Sequence, residues 1–244
     1  ILYPKETTIL NPMTEENLEE LALLQAALAQ KVIIPDAAND LQLETGDAIF
    51  SLDVQYVGDT GFVAIDHAAW QGNAVEIYAV NEPVTEPYIP GYFAFREGPV
   101  LKSAIQKAID YAGFAPKLII VDGHGIAHPR KFGVACWLGI ELGIPTLGCA
   151  KETLVQYIGE LDEPVGSTIP VIVDGETVGY AVRTALGVKP VFVSPGHLLS
   201  LGASLQFVLG LGGGFRVIEP LRRADQACRA YAKGEHGIRM TYLD

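Results

Sequence analysis

The sequence has few cysteines and no long apolar run, and these absences exclude several classes of protein. The three cysteines of the 244-residue chain are widely spaced, and an odd, scattered set predicts neither a disulfide framework nor a zinc site. No run of about 18 apolar residues is present, so we expect no membrane span and no membrane contacts. The first residues lack the basic and apolar stretches of a secretory signal, and free thiols suit a reducing compartment. We therefore expect a cytoplasmic protein.

Basic residues are scarce in the first hundred positions, where 3 bases accompany 16 acids. The whole chain has a net charge of −12, which by itself disfavours nucleic acid as a partner. The remaining positions, however, hold 14 bases and 13 acids. Because phosphate binding needs only a local basic surface, the charge balance does not exclude a nucleic-acid partner.

The spacing of apolar residues predicts an N-terminal helix and then a β-meander. Leucines recur at helical spacing over about residues 14–32, with Thr14 as the expected N-cap and Pro35 beyond the helix end. Short turns that require antiparallel neighbours separate three β-like runs, residues 48–57, 61–70 and 74–81. Prolines then predict an irregular loop over residues 82–90.

The second half of the sequence predicts parallel βαβ units. A helix over residues 98–111, with Pro99 in its first turn, precedes short apolar runs typical of buried parallel strands at residues 117–121 and 145–150. A helix over residues 132–142 connects these two strands. We expect a hairpin around Asp174-Gly175, a helix over 197–209 capped by Ser194, and a last helix over 219–233. One α/β domain, residues 1–244, accounts for these elements.

Three carboxylates fall at positions where ligands usually bind. Asp53 interrupts an apolar strand. Burying a carboxylate there costs on the order of several kcal/mol unless it is paired or binds a metal. Asp122 ends the run Leu-Ile-Ile-Val, and Glu97 opens the helix that leads into it. If the two strands are adjacent, the carboxylates converge and repel one another unless a cation lies between them. All-oxygen ligands suit Mg²⁺ or Mn²⁺.

Four segments of the sequence resemble the endonuclease V family. They read Pro-Tyr-Ile-Pro-Gly from Pro87, Phe-Arg-Glu-Gly-Pro from Phe95, Asp-Gly-His-Gly-Ile-Ala-His-Pro-Arg from Asp122, and Val-Ser-Pro-Gly-His from Val193. The resemblance covers about residues 48–232. It implies an α/β, ribonuclease H-like fold with a mixed sheet, an antiparallel three-strand meander, parallel βαβ units and helices on both faces. It also implies Mg²⁺-dependent nicking at the second phosphodiester 3′ to a deaminated base, chiefly inosine, leaving 3′-hydroxyl and 5′-phosphate ends.

The resemblance also implies catalytic roles for individual residues. The metal ligands would be Asp53, Glu97, Asp122 and Asp225, with Mg²⁺ as the cofactor and Mn²⁺ as an expected substitute. Lys151 matches the family's active-site lysine, although Glu152 follows it where the family usually has Ser. His128 matches a residue expected to contact phosphate or to order the metal site.

Substrate-binding roles follow from the same resemblance. Tyr88 would be the wedge that holds separated strands apart, in a loop that Ile89, Pro90 and Gly91 complete. Gly123 and Gly125 would line a pocket for the base, and Arg130 would lie on the phosphate side.

Two other classes of function remain open from the sequence. A different ribonuclease H-like, structure-specific metallonuclease would explain the carboxylates but not the loop that carries Tyr88. A non-catalytic inosine-binding module would not require Lys151 and all four acids. Under the family interpretation the partners are DNA, single-stranded RNA containing inosine, or both, and we expect a monomer.

Overall fold

Strands and helices fill most of the computed structural model, which describes residues 15–235 and 239–244. The strands in this part of the chain are β1 Ala48–Val57, β2 Thr60–Ala69, β3 Ala74–Pro83, β4 Leu118–Val121, β5 Thr146–Ala150, β6 Thr168–Val173, β7 Glu176–Val182, β8 Val191–His197 and β9 Thr241–Leu243. Its α-helices are α1 Glu15–Ala29, α2 Phe93–Ala112, α3 Val134–Leu142, α4 Leu201–Gly210 and α5 Glu219–Ala232. No helix within these ranges is long and apolar enough to cross a bilayer.

All described strands belong to one mixed sheet of order β6-β7-β8-β5-β4-β1-β2-β3-β9. Strands β1, β2 and β3 form the predicted antiparallel meander, and β1, β4 and β5 are parallel neighbours. The predicted meander and βαβ unit are therefore confirmed. Strand β9, which the sequence interpretation did not include, pairs in parallel with the outer edge of β3.

Helices cover both faces of the sheet because its central strands alternate between two apolar cores. Phe50 and Leu52 of β1 point to the core shared with α2 and α3. Ile49 of β1 points to the opposite core, where Leu147 of β5 and Phe207 of α4 also pack. The predicted fold class, with helices on both faces, is confirmed.

Helix α2 differs from its prediction in a way that affects the site. It begins at Phe93, five residues before the expected start, so Pro99 lies inside the helix and not in its first turn. Pro99 removes one intrahelical hydrogen bond, and the helix continues through the loss because its apolar face remains buried. Glu97 consequently lies in the second turn of α2, where it is buried, and does not open the helix.

Two other predicted helix boundaries were wrong. Ser194 and Pro195 belong to β8, and the helix that follows is capped by Ser200, whose Oγ accepts a hydrogen bond from the Ala203 amide at 3.1 Å. The sheet tolerates Pro195 where the register between β5 and β8 shifts. Helix α1 ends at Ala29, three residues before the expected end, and the proposed cap Thr14 lies outside the described residues.

Gly98 is expected to be irreplaceable because Trp137 of α3 lies against its backbone. A Cβ at Gly98 would be 2.5 Å from ring carbons of Trp137. We predict that Gly98→Ala lowers the free energy of unfolding by about 1–3 kcal/mol, as overpacking does. Urea denaturation measures this change. In α4, a Cβ at Gly202 meets only Ser200 Oγ at 3.7 Å, so Gly202→Ala is the matched control and should not destabilise. Equal stability of both variants would refute the packing argument.

A buried ion pair attaches α5 to β2. Asp66 is fully buried and accepts two hydrogen bonds from Arg223, at 2.6 and 2.8 Å. We predict that Arg223→Ala costs about 3–5 kcal/mol of unfolding free energy because it leaves a buried carboxylate unpaired. Its neighbour Arg222 pairs with the more exposed Glu219, so Arg222→Ala should cost less than about 1 kcal/mol. Similar losses in chemical denaturation of the two variants would contradict this assignment.

Candidate active site

Parallel strand pairing places two of the predicted carboxylates side by side. Leu52 of β1 pairs with Val121 of β4, so Asp53 and Asp122 follow in the same register. The Asp122 amide donates to the Leu52 carbonyl at 3.3 Å, which extends the pairing by one residue. Asp122 therefore follows the carboxyl end of β4, and Asp53 lies beside it in β1, where the pairing between the two strands stops. The carboxyl ends of parallel strands are the edge at which open α/β sheets bind ligands.

A lysine from the next strand and an acid from α5 complete this cluster. Lys151 follows β5, and its Nζ donates to Asp122 Oδ2 at 2.6 Å and to Asp225 Oδ1 at 3.3 Å. Asp225 also lies close to Asp53 and pairs with Arg229 at 3.0 Å. The structure thus brings together Asp53, Asp122, Lys151 and Asp225, which lie far apart in the sequence.

Glu97 approaches the same carboxylates from α2. Its side chain is buried, and Oε1 accepts a hydrogen bond from the Tyr56 hydroxyl at 3.4 Å. Its other oxygen, Oε2, is buried without a hydrogen-bond partner in the described structure. Burial raises the pKa of Glu97 well above its usual range, and the charges of Asp53 and Asp122 raise it further.

Burial and mutual repulsion also disfavour ionisation of Asp53. Burial raises the pKa of Asp53 to about 7, and the charge of Asp122 contributes in the same direction. Lys151 opposes this rise. Burial would lower the pKa of Lys151 itself, but the hydrogen bond and charge of Asp122, with Asp53 and Asp225, raise it overall. The lysine therefore stays charged beside the acids.

The donor set of the cluster fits a hard divalent cation. All four acids offer carboxylate oxygens, which Mg²⁺ and Mn²⁺ prefer, and the unpartnered Oε2 of Glu97 is suited to a cation. Within residues 15–235 and 239–244, no three His, Cys, Asp or Glu side chains are already arranged around one point as metal ligands. Instead, the ammonium of Lys151 bridges Asp122 and Asp225. A cation bound by these acids would compete with the Lys151 ammonium for Asp122 and Asp225.

A cleft of about 410 Å³ opens beside the carboxylates. Both predicted substrate-binding segments reach it, and so do Asp122, Lys151 and His128. The other predicted site residues do not line the cleft: Asp53, Glu97, Asp225, Ile89, Pro90, Gly125 and Arg130. Residues along the cleft include Tyr88, Gly91, Phe93, Asp122, Gly123, His124, His128, Lys151, Glu152 and Leu154.

Tyr88 projects from the loop that precedes α2. Its side chain is 64% exposed, and its ring meets only the edge of Phe93 among the described aromatic contacts, with centroids 6.0 Å apart. Ile89 is half-buried and Pro90 is exposed. The loop therefore presents an aromatic ring at the mouth of the cleft.

The two predicted pocket glycines have different surroundings. Gly123 lines the cleft, and a Cβ there would be 2.6 Å from Val134. Gly125 is buried, its amide donates to Ser194 Oγ at 2.9 Å, and a Cβ there would lie 2.0 Å from the Pro195 carbonyl oxygen. The close approach of β8 is sufficient to require glycine at position 125.

His128 and Arg130 are both engaged within the protein. Burial lowers the pKa of His128 to about 4, and the charge of Arg130 lowers it too. His128 is therefore neutral at pH 7, and its Nδ1 accepts from the Arg130 amide at 3.1 Å, which leaves the proton on Nε2. The Arg130 guanidinium donates to the side chain of Gln25 and to the Gly91 carbonyl.

Tyr56 and Gln25 are contacts of the site that the sequence interpretation missed. Strand alternation carries a signal for Tyr56, because it lies on the opposite face of β1 from Asp53, the face that α2 covers. For Gln25 the signal is a polar residue inside the leucine stripe of α1, between Leu21 and Leu28.

Known proteins resemble the chain in sequence and in fold. The endonuclease V family model matches residues 26–226. Endonuclease V of Dictyoglomus turgidum is 40% identical over 206 residues, which cover 84% of this chain and 87% of that protein. The structure of endonuclease V from Streptomyces avermitilis superposes with a TM-score of 0.79 at 36% identity, covering 91% of this chain and 95% of that one. The Ciona intestinalis enzyme in complex with inosine-containing DNA gives 0.78 at 26%, covering 91% and 99%.

A mixed sheet has an antiparallel meander followed by parallel strands, and Asp53 and Asp122 lie side by side where β1 and β4 stop pairing. This is the arrangement of a ribonuclease H-like nuclease. The match to the family model and the relatives over most of their length make the assignment specific. The chain belongs to the endonuclease V family and is an endonuclease. The predicted family and enzyme class are thereby confirmed.

Proposed function

We propose that the protein nicks nucleic acid at the second phosphodiester 3′ to a deaminated base, chiefly inosine, and leaves 3′-hydroxyl and 5′-phosphate ends. The observation that carries this proposal is the cluster of Asp53, Asp122 and Asp225 around Lys151, directly beside a cleft that Tyr88 borders. Inosine-containing DNA bound to the similar enzyme of Ciona intestinalis supports the choice of substrate.

Asp53, Glu97, Asp122 and Asp225 would hold a divalent cation, and Mg²⁺ fits their oxygens best, with Mn²⁺ as a substitute. When bound, such an ion supplies an activated water and neutralises charge on the phosphoryl group. The acids contribute binding and orientation. Such an ion would give the buried Oε2 of Glu97 a partner and would relieve the repulsion between Asp53 and Asp122.

Lys151 and His128 would act on the scissile phosphate. Lys151 stays charged beside the acids, so it can orient the phosphate through its positive charge. His128 is neutral and lines the cleft, so we assign it a hydrogen bond to phosphate or an ordering role and not a positive charge. Arg130 would add a positive charge on the phosphate side.

Tyr88 would act as the wedge that fills the gap left by a flipped base. Ile89, Pro90 and Gly91 complete its loop, and Pro87 and Pro90 limit the backbone freedom that insertion would cost. Gly91 and Gly123 line the cleft and would read the base through backbone groups, with Gly125 supporting the wall behind them.

The partners we propose are DNA, single-stranded RNA containing inosine, or both. We also propose a single domain over residues 1–244 that acts as a monomer in the cytoplasm. The two-sided packing of one continuous sheet supports a single domain for the described residues.

Removal of one carboxylate should abolish nicking. We predict that Asp53→Asn lowers cleavage of an inosine-containing strand in Mg²⁺ by at least about a hundredfold, because it removes a charged ligand without changing side-chain size. Gel analysis of end-labelled strands measures the rate and the cut position. Asp174→Asn, in the exposed turn after β6, is the matched control and should cut normally. Equal cutting of strands without inosine by the unchanged protein would overturn the proposed specificity.

Metal binding should also stabilise the fold without any substrate. We predict that Mg²⁺ at a hundredfold excess over Kd raises Tm by about 5 °C, because only the folded chain brings the acids together. Differential scanning fluorimetry with and without a chelator measures the shift. Asp122→Asn should remove most of it, whereas Asp174→Asn should keep it. A shift that survives in Asp122→Asn would place the cation elsewhere.

A further inference from the structure

We propose that Gln25 of α1 is a positioning residue that holds the loop bearing Tyr88 in place for strand separation. We term residues 86–91 the wedge loop. The inference rests on the proposed function, since it concerns how Tyr88 is presented to a duplex. Gln25 lies one residue before the range that the family model matches.

Gln25 makes three hydrogen bonds from a fully buried position. Its Nε2 donates to the Phe132 carbonyl at 2.9 Å and to the Gly91 carbonyl at 3.3 Å, while Oε1 accepts from Arg130 Nε. These partners fix the orientation of the amide, because carbonyls only accept and a guanidinium only donates. One side chain thus connects α1, the end of the wedge loop and the segment before α3.

Arg130 doubles the attachment at the same point. Its Nη2 donates to the Gly91 carbonyl at 2.7 Å, and its guanidinium lies 4.3 Å from the centre of the Tyr92 ring. Gly91 has φ of +83°, and a Cβ there would lie 2.8 Å from Arg130 Nη2. The left-handed backbone conformation favours glycine at this end of the loop, whereas the Arg130 side chain could shift to admit a Cβ.

The other end of the wedge loop is attached to α2. Arg96 donates to the Glu86 carbonyl, and its guanidinium lies 5.1 Å from the centre of the Tyr56 ring. Between these two attachments, Tyr88 is mostly exposed and contacts Phe93. Because both ends of the wedge loop are held in place, less conformational entropy is lost when the exposed Tyr88 ring inserts into a stack of nucleobases.

Packing alone does not explain a glutamine at this position. Gln25 lies in the stripe of α1 that faces the core, where Leu28 is buried, and a methionine would fill a similar volume. Methionine would leave the Arg130 Nε and the Phe132 carbonyl without their partner. We therefore assign the Gln25 amide the role of fixing the position of the wedge loop.

The test compares an inosine-containing strand in a duplex with the same strand alone, because only the duplex must be opened. We expect Gln25→Met to lower kcat/KM on the duplex by about tenfold, and on the single strand by less than about twofold. Tyr88→Ala should likewise lower the ratio of kcat/KM on the duplex to kcat/KM on the single strand. The double variant should be no worse than Tyr88→Ala alone, since Gln25 acts through the loop.

Leu28→Ala is the matched control, because it weakens the packing of α1 without removing a hydrogen bond to the loop. It should lower Tm and leave the duplex to single-strand ratio unchanged. Should Gln25→Met fail to fold, Gln25→Glu keeps the acceptor for Arg130 but turns a carboxylate oxygen towards the Gly91 and Phe132 carbonyls, so it should also lower the ratio of duplex to single-strand kcat/KM. Equal losses on both substrates, additive losses in the double variant, or a changed ratio in Leu28→Ala would overturn the inference.

Absence of inosine cleavage by the unchanged protein would instead overturn the proposed function, and the inference with it.

Discussion

The parallel pairing of β1 with β4 is the constraint on which the site depends. Because Leu52 is paired with Val121, the next residue on each strand is an acid, and both acids lie at the same edge of the sheet. A slip of one residue would turn one of them to the opposite face. Apolar residues of β1 and β4 on both faces of the sheet fix this register, so the core and the site are specified by the same alternation.

The cost of this arrangement is electrostatic. Burial and mutual repulsion raise the pKa of both Asp53 and Glu97, and Lys151 offsets part of that cost by bridging two of the acids. Helix α2 then links the acids to the wedge loop, since Glu97 bonds Tyr56 while its neighbour Arg96 holds the Glu86 carbonyl. The same helix therefore positions a proposed metal ligand, Glu97, and holds one end of the wedge loop.

Local patterns in the sequence were sufficient for most of the sheet but not for every boundary. The turn Asp174-Gly175 has positive φ at both residues, and the sequence predicts the hairpin there correctly. Ser194-Pro195 has the local signature of a helix start, yet tertiary pairing with β5 makes it a strand. The bonds of Gln25 span 66 to 107 residues, so no local pattern predicts them. The residues proposed for the site came from motifs, whereas the contacts that hold them were visible only in the fold.

The most direct test of the account is the position of a bound metal ion. Crystals grown with Mn²⁺ and measured at an anomalous wavelength locate the ion without relying on activity. The account predicts an anomalous peak in contact with carboxylate oxygens of Asp53 and Asp122, with Lys151 displaced from its bridge between Asp122 and Asp225. A peak bound elsewhere, or none at saturating Mn²⁺ with the lysine bridge intact, would contradict it.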